Sequence, residues 1–254
     1  VREEDIPVLL RVGKEHLYVA TPGEGMLHED EAAARIAHAV AGENLALSAP
    51  KEGRINFLAQ CQGLLRVDVP ALNRVNAFPE AALATLHTMQ EVRKDQAVGG
   101  TRIIPLFIEE EKIAALEKAV SAPVLSVLPF RPLRVGIVTT GSEVFHGRIT
   151  DGFGPVLRKK FAALGCTVAG QTIVNDDIAM ISAAIRRFLD EGVGMVVCTG
   201  GMSVDPDDRT PAAIRAAGGV VESYGAPMFP GAMFLLAQSG GVPVLGLPGC
   251  GAGN

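Results

Sequence analysis

From Thr199 to Pro211 the chain reads Thr-Gly-Gly-Met-Ser-Val-Asp-Pro-Asp-Asp-Arg-Thr-Pro, a glycine turn followed at once by three aspartates. Backbone N–H groups exposed at such a turn form a concavity that suits an anion. The hydroxyls of Thr199 and Ser203 add hydrogen-bond donors, and Gly200, Gly201 and Met202 complete a candidate phosphate-binding segment. Carboxylates beside a phosphate repel it unless a divalent cation stands between them. Magnesium typically takes one or two carboxylates together with substrate phosphates, so Asp205, Asp207 and Asp208 are the candidate metal ligands. Asp207 or Asp208 has a second reading, as the start of the next helix. No lysine follows the glycines in the G-x-x-x-x-G-K-[ST] pattern, which argues against ordinary nucleotide hydrolysis.

Three more loops carry polar or glycine-rich chemistry. In Thr139-Thr140-Gly141-Ser142-Glu143, glycine lets the backbone approach a ligand and the hydroxyls supply hydrogen bonds. Glu143 there reads either as facing a cation or as a solvent-facing residue of a capped turn. Asp176-Asp177 reads equally as a helix start and as a helper for the same cation. Gly246-Leu247-Pro248-Gly249 is the last candidate ligand loop, with Cys250 just past it. Nothing nearby is clearly cationic, as a thiolate at Cys250 would require. His16, His28, His38, His87 and His146 are dispersed, and no Ser-His-Asp signature can be placed.

The elements that must position these loops alternate regularly. Val135–Thr139, Thr167–Val174, Val193–Thr199 and Val242–Leu247 read as strands, and Val220–Ser223 as an edge strand. Pro155–Leu164 is a helix with Leu157, Phe161 and Leu164 on one face, ended by Gly165. A second helix follows Asp176 and Asp177, with Ile178, Ile181, Ile185 and Phe188 at helical spacing and Gly192 at its end. Thr210-Pro211 reads as a cap followed by proline at the first helical position, with Gly218-Gly219 as the stop. Pro230–Gln238 reads as a further helix. Strands alternating with helices predict a three-layer α/β/α fold around a mostly parallel sheet. Ligands of such sheets bind beyond the carboxyl ends of the strands, which is where these loops fall.

Two prolines within Leu128-Pro129-Phe130-Arg131-Pro132 mark a linker. The expected division is a smaller α+β domain over 1–128 and the α/β domain over 133–254. In the first, His28–Val40 and Glu110–Val120 read as helices. Leu45–Ser48, Gly53–Ala59, Ala82–His87 and Thr101–Ile108 read as strands, and Lys51-Glu52-Gly53 and Val98-Gly99-Gly100 as turns. The acidic first turn Glu29-Asp30-Glu31 suits the helix dipole and needs no further role.

The formal net charge is −5, which leaves no electrostatic footprint for nucleic acid, and no polybasic run suggests a membrane surface. No apolar run has transmembrane length. Cys61, Cys166, Cys198 and Cys250 form no C-x-x-C pair, so they read as free thiols of a cytosolic protein. Opening at Val1 without Met and stopping in Gly251-Ala252-Gly253-Asn254 directly after a strand, the chain reads as cut at both ends.

The ordered set Thr140-Gly141-Ser142-Glu143, Ile149-Thr150-Asp151, Asp176-Asp177, Thr199-Gly200-Gly201-Met202-Ser203 and Gly246-Leu247-Pro248-Gly249 resembles molybdopterin-binding domains over about 120 residues. It is most similar to the molybdopterin molybdenumtransferase, which inserts molybdate into adenylylated molybdopterin. The Asp208-x-Thr210-Pro211 segment is more like the molybdopterin adenylyltransferases. The resemblance implies a cytoplasmic, often oligomeric protein of molybdenum-cofactor biosynthesis. Molybdopterin or its adenylylated form would be the ligand, Mg²⁺ the cation and molybdate the co-substrate. Other cofactor-biosynthesis enzymes or molybdoenzymes are the implied protein partners. It makes Asp177 and Asp208 the catalytic candidates. Thr140, Gly141, Ser142, Glu143, Thr199, Gly200, Gly201, Met202, Ser203, Pro248 and Gly249 become the ligand-binding candidates. Three positions depart from the family pattern: Ser142 replaces an acidic residue, Asp205 a glycine, and Cys250-Gly251 an Asn-Pro pair. Two other readings stay open. One is a dinucleotide pyrophosphatase of the competence-damage-inducible family, which shares the Asp207-Asp208-x-Thr210 segment. The other is a module that binds or senses the cofactor without turnover, which the three departures suit.

Overall fold

Apolar residues at strand and helix spacing bury separate cores in two units, Val1–Pro129 and Phe130–Asn254. The computed structural model describes residues 2–13, 16, 21–202, 208–227 and 229–249.

The first unit runs α1 (Ile6–Arg11), β1 (Met26–His28), α2 (Glu29–Val40), β2 (Leu45–Leu47), β3 (Arg54–Ala59), β4 (Gly63–Val67), α3 (Val69–Val75), β5 (Ala81–Thr85), β6 (Glu91–Val92), β7 (Ala97–Ile103), β8 (Phe107–Glu109), α4 (Glu110–Ala119) and β9 (Leu125–Pro129). Its strands form three small antiparallel sheets, β2-β3-β7-β5, β6-β4-β9 and β1-β8. The His28 ring accepts the Asp30 N–H to start α2, whose stripe Ala33, Ile36, Ala37 and Val40 is fully buried. On the other side of α2, Arg35 donates to both Glu117 oxygens (3.0 and 2.6 Å) and to Glu110 (2.8 Å), clamping α2 to α4. Two sequence expectations are corrected here. Val98-Gly99-Gly100 is not a turn but part of β7. Gly99 marks a close approach, since a Cβ there would lie 2.6 Å from the Ala84 carbonyl oxygen on β5. Thr101–Ile108 is not one strand: β7 ends at Ile103, Pro105 interrupts the run, and β8 joins a different sheet.

The second unit runs β10 (Arg134–Thr140), α5 (Ser142–Phe145), α6 (Phe153–Ala163), β11 (Thr167–Val174), α7 (Ile178–Asp190), β12 (Met195–Thr199), α8 (Thr210–Ala216), β13 (Val220–Tyr224), β14 (Leu235–Ser239) and β15 (Val242–Leu247). Its single sheet has the order β11-β10-β12-β15-β14-β13. The first four strands are parallel, and β14 and β13 continue antiparallel. Strand alternation splits the core into two layers. Val135, Ile137 and Val197 pack with Leu157 of α6. Val138, Val196, Cys198 and Val244 pack on the opposite face with Ile181, Ile185 and Phe188 of α7 and Ile214 of α8. The result is a three-layer α/β/α unit. Gly136 lets α7 sit close, because a Cβ on it would lie 2.4 Å from the Phe188 ring.

The expected helix over 230–238 is overturned. Leu235–Ser239 is a strand with Leu235 and Ala237 buried, and Gly240 and Gly241 (φ 57° and 83°) close a tight hairpin into β15. The apolar run Met233–Leu236 has no decisive period, so the hairpin glycines were the better guide. The start of α8 also moves: Arg209 is the N-cap and Thr210 the first helical residue, so Pro211 is the second.

Candidate functional site

β10 feeds α6 and β11 on one side of the sheet, while β12 lies on the other side of β10. The strand order therefore reverses between β10 and β12, and the loops leaving their carboxyl ends flank the crevice where open α/β sheets take ligands. Four threonines sit at that edge, Thr139, Thr140, Thr199 and Thr210, all buried.

Buried hydroxyls need partners, and these find them on both faces. On the α6 side Thr199 Oγ1 donates to Thr139 Oγ1 (3.4 Å), and Gln171 Nε2 donates to Thr139 Oγ1 (2.9 Å) and to Asp151 Oδ2 (2.6 Å). Asp151 in turn accepts the N–H groups of Phe153 and Gly154 (2.9 and 3.0 Å), so it anchors the start of α6 to β11 and β10. On the α8 side Thr210 Oγ1 donates to the Gly200 carbonyl (2.8 Å) and lies 3.3 Å from Thr140 Oγ1. A hydroxyl has one proton, so Thr140 is the donor in that pair. The Thr210 N–H reaches the Gly201 carbonyl at 3.3 Å. The glycine turn is thus tied down by the first residue of α8. Gly200 and Gly201 have φ of 86° and 54°, and a Cβ on Gly200 would lie 2.2 Å from the Thr140 carbonyl oxygen. Only glycine fits there without moving the end of β10.

The loop after β10 is fastened differently. Asp176 Oδ2 accepts the Ser142 N–H at 2.8 Å, placing a carboxylate at the start of α5, and the Gly141 N–H reaches the Val174 carbonyl at 3.3 Å. Asp177 caps α7, its Oδ1 accepting the Met180 N–H at 2.8 Å. The paired aspartates thus hold two different elements. Glu143 is exposed.

A cleft of about 630 Å³ opens beside the glycine turn. Its walls are Gly200, Gly201, Met202 and Asp208 on one side, the segment 229–233 on another, and Pro248 and Gly249 on a third. The lining is mainly apolar, with Phe229 at the rim 94% exposed and Met202 buried beneath. Asp208 is half-buried. Its charge is felt by Tyr224 on β13, whose phenol is pushed above the ordinary tyrosine range first by partial burial and then by Asp208.

The structure therefore brings Gly200, Gly201, Met202, Asp208, Pro248 and Gly249 onto one cleft. Thr140 braces the turn from behind, and Thr199 belongs to the hydroxyl chain on the α6 side. Gly141, Ser142, Glu143 and Asp177 do not line that cleft. Ser203, Asp205, Asp207 and Cys250 lie outside the described residues. Among the described residues no group of three or more His, Cys, Asp or Glu side chains is placed to hold a metal ion. Sequence reasoning did not single out Gln171, Tyr224 or Met233. Gln171 carries the one usable signal, a lone amide in the strand Thr-Val-Ala-Gly-Gln-Thr-Ile-Val. Among the described residues no helix is long and apolar enough to cross a membrane.

Residues 136–252 match the family model described as a probable molybdopterin binding domain, a stretch inside the second unit and less than half of the chain. A CinA-like protein of Frankia casuarinae is 40% identical over 88 residues, covering 35% of this chain and 20% of the relative. One from Mycobacterium sp. (strain MCS) is 41% identical over 81 residues, covering 32% and 19%. The matched stretch thus spans about a fifth of the length of these curated relatives. Among solved structures, the molybdopterin biosynthesis enzyme MoaB from Thermus thermophilus aligns with a TM-score of 0.41 at 28% identity, covering 46% of this chain and 81% of that one. The protein CinA with unknown function from Thermoplasma acidophilum aligns with a TM-score of 0.42 at 20% identity, covering 46% and 89%.

Proposed function

We propose that the second unit binds molybdopterin or its adenylylated form in the cleft beside Gly200–Gly201, and that the chain serves molybdenum-cofactor biosynthesis by promoting magnesium-dependent molybdate insertion. The observation that carries this reading is the make-up of the cleft. Apolar walls, a braced glycine turn and one half-buried carboxylate meet in a cavity of ligand size, inside the stretch that matches the molybdopterin-binding family model.

In this reading the Gly200–Gly201 turn receives the ligand phosphate, with Ser203 as a supporting hydroxyl on sequence alone, while Thr199, its proton given to Thr139, braces the strand end behind the turn. Phe229, Pro230 and Met233 face the flat ring system. Thr140 and Thr210 keep the turn in place, and Pro248–Gly249 closes the far wall. Gly141, Ser142 and Glu143 stand at the neighbouring strand end and take the remaining polar groups of a large ligand. Asp208 on the cleft wall suits a magnesium ion, which commonly binds one or two carboxylates plus phosphates; Asp205 and Asp207 join it on sequence alone. Bound magnesium would supply positive charge against a phosphoanhydride. Among the described residues no side chain on the cleft is an evident nucleophile, so in this reading the residues act by binding and electrostatic positioning. Asp177, committed to capping α7, is given no step.

Calorimetric titration with molybdopterin and with its adenylylated form, each with and without Mg²⁺, tests this. The reading predicts a preference for the adenylylated form that Mg²⁺ strengthens and that Asp208→Asn abolishes. Folded protein that binds neither form overturns it. A second reading, dinucleotide hydrolysis, is favoured by the CinA-like relatives; release of AMP from ADP-ribose without pterin binding would bring it forward. Tight pterin binding with no turnover would instead mark a carrier or sensor, as the residues at Ser142, Asp205 and Cys250 suit.

A further inference from the structure

The first unit has a second cavity, of about 730 Å³, on the sheet β2-β3-β7-β5, and its charge pattern is unusual. Lys51, Arg54 and Arg102 line it, with Glu52 as the only acid on its wall. The three cations form a row across the sheet. Lys51 and Arg54 exchange both backbone hydrogen bonds (3.0 Å each), and Arg54 faces Arg102 directly in the β3–β7 register. Residues directly opposite in a ladder project to the same face. The Gly53 carbonyl accepts the Ile103 N–H (2.9 Å), so the next pair, Arg54–Arg102, is of the non-hydrogen-bonded kind. Such pairs stand about 4.5 Å apart at Cα, against about 5.5 Å for the hydrogen-bonded Lys51–Arg54 pair.

Like charges directly opposite destabilise a sheet, and two other cations of this unit are closely paired with carboxylates. Arg35 has Glu117 and Glu110, and Lys112 has Glu80 and Glu109. Among the described residues no carboxylate lies within ion-pair distance of Lys51, Arg54 or Arg102. Two acids of α2 approach the hairpin at Gly53: Asp30 accepts the Gly53 N–H (2.9 Å), and Glu29 packs beside the Gly53 α-carbon, and neither pairs with the row. The hairpin backbone and the Arg54 side chain are also tied down. The two-residue turn Glu52-Gly53 has φ of 50° and 67°. Asn56 Oδ1 accepts from Arg54 Nε (3.0 Å), leaving the terminal nitrogens of Arg54 for other partners, and the Ser48 hydroxyl accepts the Asn56 N–H (3.0 Å).

We infer that this row is an anion site of the first unit, taking a small organic diphosphate or oligophosphate whose adjacent phosphoryl groups lie across Lys51, Arg54 and Arg102. A single phosphate is too short to neutralise three cations spread over about 10 Å. Guanidinium forks match phosphate oxygens in pairs. A long polyanion such as nucleic acid is disfavoured by the formal net charge of −5.

The test is calorimetric titration of the whole chain with inorganic pyrophosphate at about 0.15 M salt, where screening beyond about 8 Å removes diffuse attraction. Binding should be tighter than that of inorganic phosphate. Arg102→Gln and Lys51→Gln should each weaken it by about tenfold, while Arg93→Gln, in the separate loop after β6, should leave it unchanged. Without ligand, Arg102→Gln should raise the melting temperature by relieving the like-charge pair. No pyrophosphate binding overturns the inference. So does equal weakening by Arg93→Gln, which marks diffuse surface charge, or undiminished binding in both row variants.

Discussion

Gly200→Ala is the substitution whose outcome the structure specifies most closely. A methyl at position 200 would lie 2.2 Å from the Thr140 carbonyl oxygen and 2.8 Å from its Oγ1. That carbonyl ends β10, which is paired on both sides by β11 and β12, so it cannot swing aside as a flexible side chain would. The backbone is also at φ 86°, where a side chain costs about 1–2 kcal/mol. Overpacking a fixed neighbour typically costs a further 1–3 kcal/mol or so, giving about 2–5 kcal/mol together. The loop can escape only by leaving β10, which breaks the 2.8 Å bond from Thr210 Oγ1 to the Gly200 carbonyl and opens the cleft. Gly201→Ala is the internal control. Its φ is 54°, and its hindered neighbours are the side-chain oxygens of Thr210 and Thr140 at 2.9 and 3.3 Å, so about 1–2 kcal/mol is expected. Scanning calorimetry should show Gly200→Ala lowering the second unit's melting temperature by about 10 °C, and Gly201→Ala by much less. Equal melting temperatures for the two variants would refute the argument from the Thr140 carbonyl.

Asp208→Asn should bring the ionisation of one tyrosine, Tyr224, to lower pH by removing a charge that opposes its phenolate; ultraviolet titration reads this directly, and an unmoved curve would separate Asp208 from Tyr224. Burial pushes the Cys198 thiol up to about 12, so peptide mass spectrometry should find Cys198 unmodified by iodoacetamide in native protein at neutral pH and modified after denaturation; native labelling at the rate of the partly exposed Cys166 would contradict the packing. Glu117 is held below its ordinary 4.5 by its hydrogen bonds from Arg35. A depressed carboxylate contributes stability that is complete above its unfolded value and is lost as pH falls through its folded value. The first unit should therefore lose stability in acid below about pH 4.5, less steeply in Glu117→Gln; identical pH profiles would remove the Arg35 clamp from the acid response.

Much of the α/β layer is legible one residue at a time. Thr167–Val174 and Val242–Leu247 are strands with the bounds their composition predicts, and α7 follows from Ile181, Ile185 and Phe188 at helical spacing behind Asp177. These elements are set by local period and capping, which a linear reading can see. What it cannot see is which surface a run will meet. Leu235–Ser239 became strand because β15 offered a free edge and Gly240–Gly241 closed the hairpin. Gly99–Gly100 became strand because Ala84 comes close enough to exclude any side chain at Gly99.

The candidate site divides in the same way. The order and composition of the loops at Thr140–Glu143, Thr199–Ser203 and Gly246–Gly249 are properties of the chain alone. Their grouping is not. Strand order decided that the Gly200–Gly201 turn shares a cleft with 229–233 and Pro248–Gly249, while Gly141, Ser142 and Glu143 stand outside it. Hydrogen-bond supply decided that Asp176 and Asp177, adjacent in sequence, serve two different helices. The sequence by itself determined the periodic elements and the residue types at each strand end, because those depend on neighbours within a few positions. Only the tertiary structure decided which ends meet and which polar groups are already engaged, because pairing between distant strands depends on the whole sheet.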